Sequence, residues 1–161
     1  MGARRIVFIA ALGAASLQAV AALGGHPEAP SAMNRYTASA KAAVSASDSA
    51  SGAYRTWVTT TADGSVIKEF ANHDGVVFAV TWQGPWRPDL KQLLGSYYTT
   101  FQQESAQRVS MHARAPSHVF SKQGLFVSTR GHARAFEGLA YVQALLPPGV
   151  SPAELHSGAA R

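Results

Sequence analysis

Residues 75–101 read GVVFAVTWQGPWRPDLKQLLGSYYTTF, and this stretch decides the fold. From Val76 to Trp82, β-branched and aromatic residues alternate with small or weakly polar ones, which is typical of a strand with apolar surroundings on both faces. We therefore expect a central strand. The run ends at Gly84–Pro88, because each proline removes a backbone donor and disfavours the helical conformation of the residue before it.

A helix is predicted directly after this turn. Asp89 stands where an N-cap residue would accept the first free N–H groups, and Gln92 follows at the spacing of a capping box. Apolar residues then recur at helical spacing as one stripe that should pack on the sheet, with Gly95 where the helix backbone approaches the strands closely. The predicted core consists of Phe78, Val80, Trp82, Leu90, Leu93, Leu94, Tyr97 and Phe101.

The first 21 residues have the pattern of a secretory signal peptide. A basic start with Arg4 and Arg5 precedes the apolar run Ile6–Leu17, and Ala19–Ala21 forms a cleavage site of small residues. The alternative is a retained transmembrane anchor, but the apolar run falls short of the roughly 20 residues that a span needs. We expect export to the periplasm or the medium, with no stable membrane anchor after cleavage.

Composition favours a single globular domain and excludes several classes of function. The chain has 161 residues, of which 47% are hydrophobic and 14% charged. Without Arg4 and Arg5 the formal charge falls from +5 to +3, and the basic residues are scattered, so no nucleic-acid partner is expected. The absence of cysteine excludes disulfides, a thiol nucleophile and a lipid-modified N-terminal cysteine.

The remaining segments divide into a leader, one domain and a tail. Residues 22–52 are rich in alanine and serine with few bulky apolar side chains, which predicts a disordered leader. Residues 53–156 form the predicted domain and 157–161 a tail. Three strand patterns precede the helix and three follow it, so we expect an α+β fold, an antiparallel sheet of about six strands in βββ-α-βββ order with one amphipathic helix packed across one face.

Two features of the predicted sheet need an explanation beyond this scheme. Gly138 interrupts the last strand pattern and indicates a bulge or a bend. Trp57, Phe126 and Phe136 are large aromatic residues that we expect on the second face of the sheet, away from the helix, where they would need cover. The second face of the sheet would then curl or hold a partner.

Several strings resemble a family of short exported proteobacterial proteins whose function is unknown. They are Val77–Leu90 with its Gly-Pro-x-x-Pro-Asp-Leu core, its continuation to Tyr98 through Leu-Leu-Gly, Ala22–Gly25, and Phe136–Tyr141. The resemblance spans the folded region and implies no activity. Trp86 stands where a smaller residue is more usual in such sequences.

The sequence contains no recognisable catalytic or metal motif. No serine lies in a Gly-x-Ser-x-Gly turn, no histidine pair has helical zinc-ligand spacing, and no glycine-rich phosphate loop is present. Asp89 is explained as a cap, although an acid/base pair with Glu69 is an open alternative. We predict no catalytic residue, no metal site and no cofactor.

The best functional candidates are Trp86 and Arg87, in the turn between the central strand and the helix. Tryptophan and arginine dominate binding hot spots, and two prolines stiffen this turn. The alternative for Trp86 is a packed lid over the helix start. Trp82 and Tyr97 also lie near the turn, but the stripe they belong to favours a place in the core.

Two functions follow from different classes. The first is a non-catalytic protein of the cell envelope that binds a protein, peptide or glycan partner through Trp86 and Arg87 or through the open sheet face. The second is a small metal-independent hydrolase, with a site assembled from Asn72–Asp74, Gly131–His132 and Asp89. An enzyme is the less favoured of the two.

Overall fold

The structure is a computed structural model that describes residues 22–26, 43–109 and 117–157. The predicted signal peptide and most of the predicted tail lie outside these residues. The strands are β1 Ala43–Asp48, β2 Arg55–Thr60, β3 Val66–Ala71, β4 Val77–Gly84, β5 Ser117–Lys122, β6 Leu125–His132 and β7 Ala135–Val142. The α-helices are α1 Leu90–Leu94, α2 Tyr98–Val109 and α3 Pro152–Ser157, with 3₁₀ turns at Gly95–Tyr97 and Gln143–Leu145.

The strands of the described chain form one antiparallel sheet in the order β1-β2-β3-β4-β7-β6-β5. Two meanders, β1 to β4 and β5 to β7, meet where β4 pairs with β7, and the chain through α1 and α2 connects them. The α+β class and the central position of β4 agree with the sequence. The prediction of six strands is wrong by one, because β1 adds a seventh strand at the edge.

Strand β1 lies inside the predicted disordered leader, so order begins earlier than expected. Its six residues pair with all six of β2, and the Arg55 guanidinium binds the Asp48 carboxylate at 2.7 Å. Sequence reasoning considered only side-chain burial, which is small in Ala-Val-Ser-Ala-Ser-Asp. The main-chain hydrogen bonds of an edge strand do not depend on apolar side chains.

Residues 22–26 are a second ordered piece of the predicted leader. Leu23 is only 1% exposed and its N–H donates to the Leu93 carbonyl at 3.1 Å. The Gly24 N–H donates to the Val77 carbonyl at 2.8 Å, and the Val77 N–H donates to the Gly25 carbonyl at 2.7 Å. This short segment therefore belongs to the core, whereas residues 27–42 lie outside the described part of the chain.

The predicted single helix is two helices joined by a 3₁₀ turn at Gly95. Gly95 has φ 52° and ψ −123°, a combination that requires glycine. A Cβ built there would lie 2.5 Å from the Ala22 Cβ. The close neighbour of Gly95 is therefore Ala22, not the sheet as expected, and the helix breaks where the N-terminal segment passes.

The core has one cluster on each face of the sheet. Phe78 and Val80 are two residues apart on β4 but belong to different clusters, because the pairing of β3 with β4 shifts by one residue at Phe78. On the α1–α2 face, Val80, Trp82, Leu93 and Leu94 are buried, and Leu90, Tyr97, Phe101 and Trp57 are partly buried against them. On the other face, Phe78 is fully buried with Phe70, Leu139 and Leu155.

Helix α3 covers part of the face that the sequence left open, because it places Leu155 against Phe70, Phe78 and Leu139. Phe126 lies on that same face, where it stacks on Tyr141 with ring centroids 4.8 Å apart. The expectation that Trp57 lies there too is wrong, because Trp57 packs on the α1–α2 face, in register with Glu69 and Val80. None of the helices in the described ranges is long and apolar enough to cross a membrane.

Gly138 does not mark a bulge. The pairing of β7 with β4 and β6 runs through Gly138 without a shift, and the irregularity of the sheet lies at Phe70–Ala71. A Cβ at Gly138 would lie 2.2 Å from the Trp82 ring. Glycine is needed here because the indole ring of the central strand lies directly on the backbone of β7.

Candidate functional site

An open cleft of about 600 Å³ lies at one end of the sheet, where β4 ends and β7 begins. Its volume is within the range of small-molecule sites. We call it the strand-end cleft. It is lined by Gly64, Val66, Gln83, Gly84, Pro85, Arg130, Gly131, His132, Arg134, Ala135, Phe136 and Glu137.

The β6–β7 hairpin supplies most of the charged groups of the strand-end cleft. Arg130 and His132 lie two residues apart on β6 and so point to the same face. Arg130 forms an exposed ion pair of 3.5 Å with Glu137. Gly131 allows the hairpin to pack closely, because a Cβ there would lie 2.6 Å from the Phe136 ring.

Arg134 occupies an unusual backbone conformation at the tip of this hairpin. His132 pairs with Ala135, so the turn consists of Ala133 and Arg134 only. Arg134 has φ 66°, in the left-handed region where glycine or asparagine is the usual residue. The chain therefore places a cation at the cleft in a position that strains it.

Trp86 and Arg87 lie beside the strand-end cleft. Trp86 follows Pro85 of the cleft wall and is 61% exposed, which contradicts the packed-lid alternative. The Arg87 guanidinium lies 5.4 Å from the centre of the Phe136 ring, a cation–π contact. Both predicted contact residues thus lie next to an open cleft, and Arg87 is held by a ring of its wall.

The wall of the cleft on the β2–β3 side is a turn held together by Asp63. Its carboxylate accepts from the Thr61 hydroxyl, from the Ser65 N–H at 3.2 Å and from the Ser65 hydroxyl at 3.1 Å. The hydrogen bond from Thr61, with those from Ser65, lowers the pKa of Asp63 below its ordinary value. Ser65 in turn packs against Gly84, where a Cβ would lie 2.9 Å from the Ser65 Cα.

The three segments of the hydrolase hypothesis do not come together. Asn72–Asp74 precedes the start of β4, whereas Gly131–His132 and Asp89 belong to the opposite end of the strand. Eight residues of strand separate the two ends by roughly 25 Å. The prediction of a hydrolase site assembled from these three segments is therefore wrong.

Asp89 and Glu69 have separate surroundings. Asp89 caps α1, accepting from the N–H groups of Lys91 at 2.9 Å and Gln92 at 3.3 Å. Glu69 is 3% exposed in the middle of β3, in register with Trp57 and Val80. The exposed cap and the buried strand residue do not resemble the paired carboxylates of a glycosidase.

A smaller cavity of about 260 Å³ lies at the other end of the sheet, near Asp48, Arg55 and His73. The hydrogen bond from Arg55 lowers the pKa of Asp48, and the same bond raises the pKa of Arg55. The two charges therefore satisfy each other. Among the residues that the structure describes, no three metal-ligating side chains cluster.

Sequence reasoning missed Arg130, Arg134 and Glu137 as members of a site. The signal was present in Arg130-Gly131-His132-Ala133-Arg134, where basic or titratable residues recur at every second position of a hairpin. The alternation of Arg130 and His132 along β6 indicated a shared face, but Arg134 lies in the turn, and the cleft also needs the end of β4 and the β2–β3 turn. Only the sheet order brings these together.

The fold and the cleft define a small α+β protein with one antiparallel sheet, helices against both faces and an open polar cleft at the end of its central strands. Residues 19–155 match the family model described as "Protein of unknown function (DUF2844)", and the chain belongs to this family. No curated protein and no solved structure matches the chain.

Proposed function

We propose that this protein is an exported, non-catalytic binding protein of the cell envelope, and that it holds a protein, peptide or glycan partner at Trp86, Arg87 and the strand-end cleft. The observation that carries the proposal is the 61% exposure of Trp86 beside the cleft. A tryptophan left open to solvent next to a concave surface is typical of a binding anchor.

The turn that carries Trp86 supports this role. Pro85 and Pro88 restrict the backbone on both sides, and Arg87 is oriented by the Phe136 ring. Side chains that are already ordered lose less entropy on binding, so a preorganised anchor gains affinity. The turn is thus better suited to recognition than a flexible loop would be.

Export is supported by the sequence pattern of residues 1–21. The basic start, the apolar run and the small residues Ala19–Ala21 agree with a cleaved secretory signal. Mass spectrometry of the envelope fraction should then find Ala22 as the first residue. A full-length product confined to the cytoplasm would contradict export.

The binding surface is tested with the double change Trp86→Ala, Arg87→Ala. Immobilised wild-type protein should capture a partner from envelope extract, and the double variant should not. Trp86 is mostly exposed and a surface cation–π pair is worth only about 0.5–1 kcal/mol, so the melting temperature should change little.

The matched control is Arg55→Ala, which removes an exposed arginine that also lies over a tryptophan, Trp57, at the other end of the sheet. It should leave capture unchanged. Equal capture by wild type and the double variant would overturn the proposal, as would a loss of capture that merely follows unfolding.

A further inference from the structure

Resting on the proposed function, we infer that the strand-end cleft binds an acidic oligosaccharide, a chain of sugars that carry carboxylates. Three features of the cleft favour this ligand: its charge, the backbone conformation of Arg134 and the pairing of the strands that form its walls.

The charge of the cleft favours an anion. Arg130 and Arg134 line it, and Glu137 is the acidic residue among the lining side chains that the structure describes. Because Glu137 forms a 3.5 Å ion pair with Arg130, Arg134 supplies the net positive charge of the lining. Arg87 adds a further cation at the rim, over Phe136. Guanidinium groups bind carboxylates through paired, charge-assisted hydrogen bonds, so the lining suits a carboxylate ligand.

The backbone conformation of Arg134 indicates that its positive charge has a functional role. Its φ of 66° is a conformation that costs a non-glycine residue free energy, and glycine would adopt it without strain. Strained residues of this kind concentrate at functional sites, where a side chain is needed despite its cost to the fold. The Arg134 side chain lines the strand-end cleft, where it is placed to contact a bound ligand.

The walls favour a sugar over a peptide. Peptides often bind by adding a strand to a free sheet edge, but β3, β4, β7 and β6 are each paired on both sides. The cleft instead offers separate polar side chains such as Gln83, His132 and Glu137 for hydroxyl groups. Trp86 is mostly exposed and directly follows Pro85 of the cleft wall, and its flat ring suits the apolar face of a sugar.

The test uses the full chain and tetragalacturonate as the probe, with its methyl ester as the uncharged match. Isothermal titration calorimetry at low salt should show binding of tetragalacturonate and at least about tenfold weaker binding of the ester. Arg134→Gly should weaken binding of the acid at least about tenfold while the melting temperature stays equal or rises, because glycine fits the turn. Arg55→Ala should leave the affinity unchanged.

Equal affinity for acid and ester, or for wild type and Arg134→Gly, overturns the inference. So does binding of a tetraglutamate peptide as tight as that of tetragalacturonate, which would make the site a peptide site. If tetragalacturonate does not bind but capture from extract still requires Trp86 and Arg87, the ligand class is wrong and the binding function stands. If both fail, both proposals are wrong.

Discussion

At the scale of single residues, Asp63 shows how one carboxylate fixes a wall of the cleft. It accepts three hydrogen bonds from its own turn, which favour the ionised form and lower its pKa below 3.8. We predict that Asp63→Asn destabilises the protein by about 0.5 kcal/mol at pH 7, since the amide keeps one acceptor oxygen but loses the charge, and solvent screens this exposed site. Urea unfolding of both proteins measures the difference.

The pH dependence of this effect has a definite sign. A carboxyl group whose pKa is lowered on folding stabilises the protein above its ordinary pKa of 3.8, and loses this contribution as the pH falls through the lower folded value. The difference between wild type and Asp63→Asn should therefore shrink below pH 3.8. Asp74→Asn, in the β3–β4 turn, is the control. A difference that persists to the lowest pH would show that shape, not charge, holds the turn.

Asp89 is a second residue whose contribution is local. Its carboxylate binds the N–H groups of Lys91 and Gln92 at the start of α1. Asp89→Ala should lower the free energy of unfolding by about 1 kcal/mol, in the range of lost N-caps, whereas Asp89→Asn keeps an acceptor and should retain most of it. Thermal melts that coincide for all three proteins would mean that the cap adds nothing.

At the scale of elements, the break between α1 and α2 depends on Gly95. Its φ and ψ require glycine, and a Cβ would meet Ala22 at 2.5 Å. Gly95→Ala should therefore combine backbone strain with overpacking, and the overpacking alone typically costs about 1–3 kcal/mol. Chemical denaturation would give the total.

The two causes can be separated. Gly124→Ala, at φ 78° with open space around it, reports the strain of a positive φ alone. Adding Ala22→Gly to Gly95→Ala should recover the stability that the steric clash removes. The double-mutant cycle should therefore show a coupling free energy between positions 22 and 95. Additive effects would mean that Ala22 does not limit the approach at Gly95.

At the scale of the whole molecule, the sequence predicted what depends on side-chain periodicity. The strand Val77–Gly84, the apolar stripe after it and the α+β class all follow from alternation and helical spacing. Contacts between distant backbones were not predictable in this way. The pairing of Gly24 and Gly25 with Val77 and the ladder of β1 with β2 leave little side-chain signal.

In the candidate site, too, local features were predictable from the sequence and long-range contacts were not. Trp86 and Arg87 were found because their residue types and the flanking prolines are local features. The strand-end cleft joins two hairpins that are about 70 residues apart in the chain, Gly64 on one and Arg134 on the other. Its existence depends on β4 pairing with β7, which no short motif specifies.

The N-terminal segment gives the last prediction, because it makes residues far from the sheet in sequence part of the core. Leu23 is 1% exposed and touches the cluster formed by α1 and β4. Leu23→Ala should lower the free energy of unfolding by about 2–5 kcal/mol, as for other buried leucines. A chain that begins at Ala53, the predicted domain start, should lose at least as much, since it lacks both Leu23 and β1. Urea midpoints compare the three proteins. If the shortened chain is as stable as wild type, residues 53–161 suffice for the fold and the contacts of Leu23 contribute nothing to its stability.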